Sequence, residues 1–483
     1  NRLGPPARGT LSAILQRQWK TSTRLDRTRH VLGNPHVACL LRGDDGYAHG
    51  PTARGILPLT LIMTTRAYDV VLYGASGFTG SLAAQYLAEH PQQPRVAFAG
   101  RNEAKIRGVM DKLTGVSKER LDSIGVIKAS AEDMDSIKSM VAQASVVINM
   151  VGPYALYKGF ELAQAAAEAG TGYVDLTGEG SVYQRIQREL HDVAKRTHAA
   201  IVPSSGFDCL PFDLTTYLAV QEVRKASGGK ADVDHALCGY LVKGSISGGT
   251  IASLVGQAKV SPITFHDAYE LSPIRGSQKA QVVMQRFLPQ FNKYGAFTLF
   301  TPHNTGVTNR SWGLLQQVNH PTSYGPHFRY LEGFIVPSVI AAYITSTIMM
   351  TVAWLVSYVP FVGDFMMKSV PQGTGAPIEK QLQGFGDIRT LAYSTDKKTV
   401  GLATFGVKGD PGYLRTAMFI SETALTLALE KQRLSTLGQE GGVLTPATIG
   451  GDVLAERLSK YGGVKIVTKD VSNSKDLCKE AEA

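Results

Sequence analysis

Glycines at 74, 77 and 80 follow a short apolar run, Val70-Val71-Leu72, and precede a helical pattern with Leu82, Ala83, Tyr86 and Leu87 on one face. A buried strand, a glycine turn and a helix in that order form the context in which such a spacing binds a dinucleotide. Gly74 permits the tight turn, Gly77 admits a pyrophosphate to the backbone, and Gly80 lets the helix close on the strand. Between them Ser76, Phe78 and Thr79 supply N–H groups at a helix N-terminus, where the dipole favours phosphate. The spacing is G-x-x-G-x-x-G, a variant of the commoner G-x-G-x-x-G. A glycine-rich turn with no ligand is the plainer alternative, and the next element weighs against it. The strand 95–99 ends in Gly100-Arg101-Asn102, with Lys105 one helical turn on. An NAD site usually carries an acid here for the ribose 2′-hydroxyl. Arg101 instead suits a 2′-phosphate, which a guanidinium grips bidentately, so NADP(H) is the expected cofactor.

Three more polar or irregular clusters follow later apolar runs: 149–154, 175–179 and 205–208. Asn149, Val151, Gly152 and Tyr154 stand where a nicotinamide ribose would lie. Tyr154, Tyr157, Asp175, Glu179 and Asp208 have acid or base chemistry, but their spacing marks no dyad and polar residues at strand ends commonly cap helices. No catalytic residue is assigned from the sequence.

The elements that must position these groups alternate strictly from 68 to 203. Strand-like runs at 70–72, 95–99, 124–127, 146–148, 173–174 and 200–202 are separated by helical patterns. Such alternation predicts a Rossmann-type, doubly wound parallel sheet with ligands beyond the carboxyl ends of its strands. From 232 the alternation ceases. A strand at 236–242, an antiparallel pair at 388–393 and 400–407, and a helix opening at Ser247-Gly248-Gly249-Thr250 predict a second, α+β domain. Amphipathic helices are expected at 411–430 and 446–460, the latter with Thr445 as cap and Pro446 at its first position. At 483 residues the chain exceeds one ordinary core. The expected division is an extension over 1–66, an NADP-binding domain over 67–205, a substrate domain over 206–440, and a returning helix with tail over 441–483.

Charge excludes one function class. The chain carries +10, but residues 1–62 hold nine Lys and Arg against three Asp, or +6, which leaves +4 for the other 421. The folded part is not notably basic and carries no nucleic-acid motif. Cys39, Cys209, Cys238 and Cys478 lack metal-ligand or disulfide spacing, which fits a reducing compartment. The Arg-rich leader has the composition of a mitochondrial transit peptide, although Met63, five residues before the first strand, is the simpler start. The second unusual stretch, 333–363, contains no charged residue and is long enough for a bilayer core of ~30 Å. It could span, dock in one leaflet or be core. A span would part the sheet from the motifs that complete the fold, so docking is the preferred reading.

Taken together, 74–80, Ala99-Gly100-Arg101-Asn102, 149–154, 173–179 and Gly206-Phe207-Asp208 resemble the saccharopine dehydrogenase-like oxidoreductases and, more distantly, bacterial trans-acting enoyl reductases of glycolipid synthesis. Gly409-Asp410-Pro411-Gly412-Tyr413 and Leu444-Thr445-Pro446-Ala447-Thr448 extend the resemblance over roughly 67–470. Gly172 replaces a usual His and Cys209 a usual Ser. The resemblance implies an NADP-dependent oxidoreductase whose second domain covers the cleft. It also implies lipid or glycolipid metabolism at a membrane or lipid droplet, on the cytosolic face. The basic residues that a saccharopine-type substrate needs are not evident, so a lipid-like substrate is expected. A catalytically silent dinucleotide-binding protein on a lipid surface is the alternative. Oligomeric state is not legible.

Overall fold

The computed structural model describes residues 66–245, 248–260, 267–278, 282–370, 374–474 and 477. The leader, the cap expected at Ser247, Cys39 and Cys478 lie outside these residues.

Six strands of the first sheet come from the alternating region: β1 Tyr68–Tyr73, β2 Val96–Gly100, β3 Gly125–Lys128, β4 Ala144–Asn149, β5 Gly172–Asp175 and β6 Ala200–Val202. The second sheet takes β7 Val233–Lys243, β8 Arg286–Leu288, β9 Lys293–Ala296, β10 Arg329–Val336, β11 Phe385–Ser394 and β12 Val400–Lys408. Late in the chain, β13 Gly442–Val443 and β14 Lys465–Asp470 each join one sheet edge.

The first sheet is parallel, in the order β13-β6-β5-β4-β1-β2-β3. Val70, Val71 and Leu72 of β1 are wholly buried, because helices cover both faces. Chain direction across the sheet reverses between β1 and β4, which makes that crevice the switch point where such sheets bind ligands. The second sheet runs β14-β12-β11-β7-β10-β9-β8 and is mixed, with β7 and β10 parallel and its other neighbours antiparallel. Helix Leu210–Ala226 leads from the first sheet and packs on β11 and β12.

Two late segments return to the first sheet. Helix Thr416–Leu429 lies against β4, β5, β1 and helix Phe78–Glu89, and every residue from 416 to 427 is buried. It carries Glu422 into that interface. There the carboxylate accepts from Tyr86 Oη at 2.7 Å and Arg457 Nε at 2.9 Å, with His90 Nε2 also at 2.9 Å. The helix expected to open at Pro446 begins instead at Gly451 and runs to Lys460. Residues 446–450 form a turn, because Thr445 and Thr448 bond each other and Gly450 adopts φ +134°.

The uncharged stretch also divides differently from the sequence expectation. Residues 333–336 complete β10, so Phe334 and Ile335 pack in the second sheet rather than standing free. Helix Val339–Tyr358 follows, capped by Ser338, whose hydroxyl accepts from Ala341 N–H at 3.2 Å. Helix Pro360–Ser369 continues the apolar run. Among the described residues, Val339–Tyr358 is the one helix long and apolar enough to cross a membrane.

Candidate active site

The glycine turn has the geometry its spacing requires. Gly74 sits at φ +90°, and a Cβ there would meet Val151 Cγ2 at 2.7 Å. A Cβ on Gly80 would stand 2.1 Å from the Gly74 carbonyl oxygen, so only glycine lets the helix close on the turn. Gly77 is exposed and caps helix Phe78–Glu89 without a side-chain acceptor, which leaves the N–H groups of its first turn open to a phosphate. Ser76 is exposed at the tip of the turn and Thr79 is half-buried behind it. The ring of Phe78 is taken up by protein: it meets Tyr413 edge-on at 5.6 Å and packs against the backbone at Gly375. What Phe78 offers a ligand is therefore its backbone.

The Gly409-Asp410-Pro411-Gly412-Tyr413 motif explains how the second domain reaches this turn. Asp410 accepts from the N–H groups of Ser245, Gly412 and Tyr413 and from the Ser245 hydroxyl. That carboxylate holds a π-helical turn, Pro411–Arg415, against the glycine turn. Tyr413 Oη lies 2.6 Å from Thr250 Oγ1, tying helix Gly248–Val260 to the same place.

At the end of β2, Arg101 and Lys105 are exposed, and neither side chain has an ion-pair or hydrogen-bond partner among the described residues. Arg101 lies close enough to Tyr73 for its charge to be felt at that hydroxyl. Two free cations beside the switch point suit a 2′-phosphate. Asn102 Oδ1, in contrast, accepts from Lys105 N–H at 3.0 Å and caps helix Glu103–Met110.

The residues after β4, β5 and β6 interlock. Asn149 donates to Tyr173 Oη at 3.1 Å and accepts from Val151 N–H at 3.0 Å. Tyr173 donates to Asp175 at 2.9 Å, and Asp175 also accepts from the N–H groups of Thr177 and Ser204 at 2.9 Å. Tyr154 Oη donates to the Asn149 carbonyl at 3.0 Å and accepts from Leu176 N–H at 2.9 Å. Glu179 accepts from the N–H groups of Tyr154 and Ala155 at 2.8 and 3.0 Å, holding the loop that starts at Gly152. Burial pushes Asp175 up to about 6, against those hydrogen bonds, and raises Glu179 as well. Satisfied on every side, these groups shape the site rather than react in it. Tyr157 is exposed and stands outside the cavity.

A cavity of about 760 Å³ opens between the two sheets. Its first wall is residues 77–80, Met150, Gly152 and the loops after β5 and β6. Its second wall is largely apolar and includes Leu254, Phe297, Met349, Val352 and Met366. Among the groups in it with proton chemistry are His303, Glu332 and Asp208. Ser204 Oγ donates to the Thr177 carbonyl at 2.5 Å, and His303 Nε2 lies 3.0 Å from that hydroxyl and 3.2 Å from the same carbonyl. With the hydroxyl proton spent, Nε2 must carry the imidazole hydrogen, and burial lowers His303 to about 4, so the ring is neutral. Glu332 accepts from Tyr330 Oη at 2.8 Å and from Asn304 Nδ2 at 3.1 Å, and burial raises its pKa. Asp208 differs from both: it faces the cavity with no hydrogen-bond partner among the described residues, and burial pushes it up to about 6.

The sequence reading named Asp208 but missed His303 and Glu332. Neither lies in a motif; helix Thr301–Gln317 brings in His303 and β10 brings in Glu332, each from more than 90 residues beyond Asp208. The two departures noted in the sequence have local consequences. A Cβ at Gly172 would meet Val146 Cγ2 at 3.0 Å, which leaves little room for a larger residue. Cys209 is buried, and its surroundings hold the thiol protonated.

A glycine turn at the switch point of a parallel sheet, with exposed cations at the second strand and a covered cavity beyond, defines an NADP-dependent oxidoreductase. Residues 70–202 match the saccharopine dehydrogenase NADP binding domain. The trans-acting enoyl reductase of Mycobacterium tuberculosis is 32% identical over 429 residues, spanning 84% of this chain and 98% of that protein. The Mycobacterium ulcerans enzyme of the same name is 32% identical over 434 residues, again 84% and 98%. The chain thus belongs to the saccharopine dehydrogenase-like oxidoreductase family, alongside the trans-acting enoyl reductases. Among solved structures it is similar to apo saccharopine dehydrogenase (L-Glu forming) of Saccharomyces cerevisiae, at 14% identity and TM-score 0.49 over 84% of this chain and 100% of that one. An engineered D-amino acid dehydrogenase bound to NADP+ matches at 11% identity and TM-score 0.34, over 81% and 98%.

Proposed function

We propose that the protein is an NADPH-dependent reductase of an apolar, lipid-like substrate, an alkene conjugated to a carbonyl being the best fit, and that it works docked on a lipid droplet or organelle membrane. One observation carries this reading. A single cavity runs from the glycine turn at 77–80 to Met349, Val352 and Met366 on the two apolar helices. Arg286 is the one Arg or Lys among the described residues that line it, whereas Asp208, Asp267, Glu270 and Glu332 all do. An amino-acid imine with several carboxylates would meet repulsion there; an acyl chain would meet its like.

Gly74, Gly77, Gly80 and the N–H groups of 76–80 would hold the pyrophosphate. Arg101 and Lys105 would hold the 2′-phosphate, and the loop 149–152 would border the nicotinamide ribose. The cofactor supplies the hydride; the chain binds, orients and excludes water. Support for a lipid surface comes from the outward side of Val339–Tyr358, where Ile340, Tyr343, Ile344, Ile348, Trp354 and Tyr358 are all exposed. Beyond them Phe361 and Phe365 extend the apolar surface.

The test is NADPH consumption with a long-chain trans-2-enoyl thioester presented in phospholipid vesicles. Turnover of the thioester, with none of an amino-acid imine, is the expected result. Turnover of the imine alone would overturn the reading.

A further inference from the structure

Reduction of a polarised double bond needs a proton donor as well as a hydride, and the cavity offers few. Tyr154 spends its hydroxyl on the Asn149 carbonyl. Tyr240 pairs with Thr298 at 2.7 Å, and burial keeps its phenol from ionising. His303 is neutral with its hydrogen turned to the Ser204–Thr177 contact, and neutral imidazole is a weak acid. Glu332 is held by Tyr330 and Asn304. Asp208 combines a carboxyl and a place on the cavity wall with no side-chain partner among the described residues.

Its position fits the task. The 2′-phosphate cations stand at the end of β2, on one side of the switch point, so the nicotinamide half of a bound dinucleotide extends the other way, over β4 and beyond. Asp208 follows β6 on that side. Phe207 N–H beside it donates to Thr416 Oγ1 at 3.0 Å, and Thr416 borders the same cavity. The backbone is thereby fixed while the carboxyl stays free.

We infer that Asp208 is the general acid of the reduction, a role that rests on the reading above. The alkene accepts hydride at the carbon β to the carbonyl, its π bond breaks, and the α carbon takes the proton from the Asp208 O–H. NADPH ends as NADP+, the alkene is saturated, and the carboxylate left behind regains a proton from water. The titratable groups around Asp208 do not substitute for it. Cys209 beside it and Tyr240 on β7 are held neutral by burial, Glu332 on β10 is raised, and His303 across the cavity is lowered. Asp267, also on the wall, is paired with Arg275, and Glu270 there, although without a side-chain partner among the described residues, is exposed to solvent rather than enclosed.

An acid of this kind works protonated, so the rate falls as pH rises through about 6. The full-length protein and D208N are compared with NADPH and a trans-2-enoyl thioester, and the carboxyl stretch of each NADP+ complex is followed by difference infrared spectroscopy. D208N is expected to bind NADPH within twofold of the parent, to lose about 10²-fold or more in rate, and to lose the limb near pH 6. The parent should show a protonated carboxyl at pH 5 that is gone by pH 8 and absent from D208N. A D208N enzyme that keeps its rate and its pH limb overturns the assignment, as does an Asp208 already ionised at pH 5. Should the parent leave the thioester untouched, the enoyl reading fails by itself. The infrared titration then still decides whether Asp208 is a protonated acid in the cavity.

Discussion

Two strongly apolar helices of this protein meet opposite fates. Thr416–Leu429 is buried along nearly its whole length under the first sheet. Val339–Tyr358 buries only Ala342, Ser346, Ala353 and Val356, and turns Ile340, Ile344, Ile348 and Trp354 outward. In the first, small Ala, Ser and Thr side chains permit close approach all round, and the one charge is neutralised by partners from two other helices. In the second, small residues face the protein and large ones face out, the reverse of what water selects. Ser346 shows how firmly the inner face is attached, accepting from Phe297 N–H at 2.9 Å and donating to the Met284 carbonyl at 2.6 Å. Apolar composition alone therefore does not say where a helix goes; the distribution of side-chain size around it does.

The comparison breaks most visibly at Glu422. Glu422→Ala leaves Arg457 buried beside a missing partner, and removing one member of such a pair costs about 3–5 kcal/mol. Because Arg457 keeps Glu430 at 3.0 Å, the lower end is expected, read as a fall in the urea midpoint. A midpoint within error of the parent would show that the returning helix does not hold the first domain together.

On the exposed helix the same kind of change should spare folding. Ile344→Asp with Ile348→Asp is expected to shift stability by less than about 1 kcal/mol, since both side chains are exposed. Lipid association should fall by about 100-fold or more, because each of the two apolar side chains is worth roughly 1.5–3 kcal/mol when buried. Vesicle flotation checks it. Unfolding would place the stretch in the core, and unchanged flotation would move the docking surface elsewhere.

The cofactor end of the cavity should ignore both helices. Arg101→Ala is expected to weaken NADPH by roughly 1.5–3 kcal/mol, the worth of a charge-assisted contact, and NADH hardly at all, with flotation unaltered. Calorimetry on the two cofactors decides. Equal losses for both would remove Arg101 from the 2′-phosphate.

What the sequence made legible follows from range. The strands at 70–72, 146–148 and 200–202 and the turn at 74–80 depend on neighbours a few residues apart, so apolar runs and glycine spacing reveal them. Boundaries set by distant partners do not show. Residues 333–336 look continuous with the apolar helix until β7 and β9 claim them as a strand. Pro446 looks like a helix start until Asp213, fully buried, accepts from Ala447 N–H at 2.9 Å and holds the turn open. His303 joins the cavity through Ser204 and Thr177, 99 and 126 positions earlier, and no local pattern carries that information.

The central claim, that the outward face of Val339–Tyr358 lies in lipid at the mouth of a reductase cavity, is tested most directly by Trp354. It is exposed, whereas Trp312 is buried beside Tyr269, donates to the Gly325 carbonyl and serves as an internal control. Vesicles whose acyl chains carry bromine should quench the Trp354 emission, with the quenching absent in Trp354→Phe. An emission that bromine-labelled vesicles leave unchanged, in protein that still binds NADPH, would contradict the account.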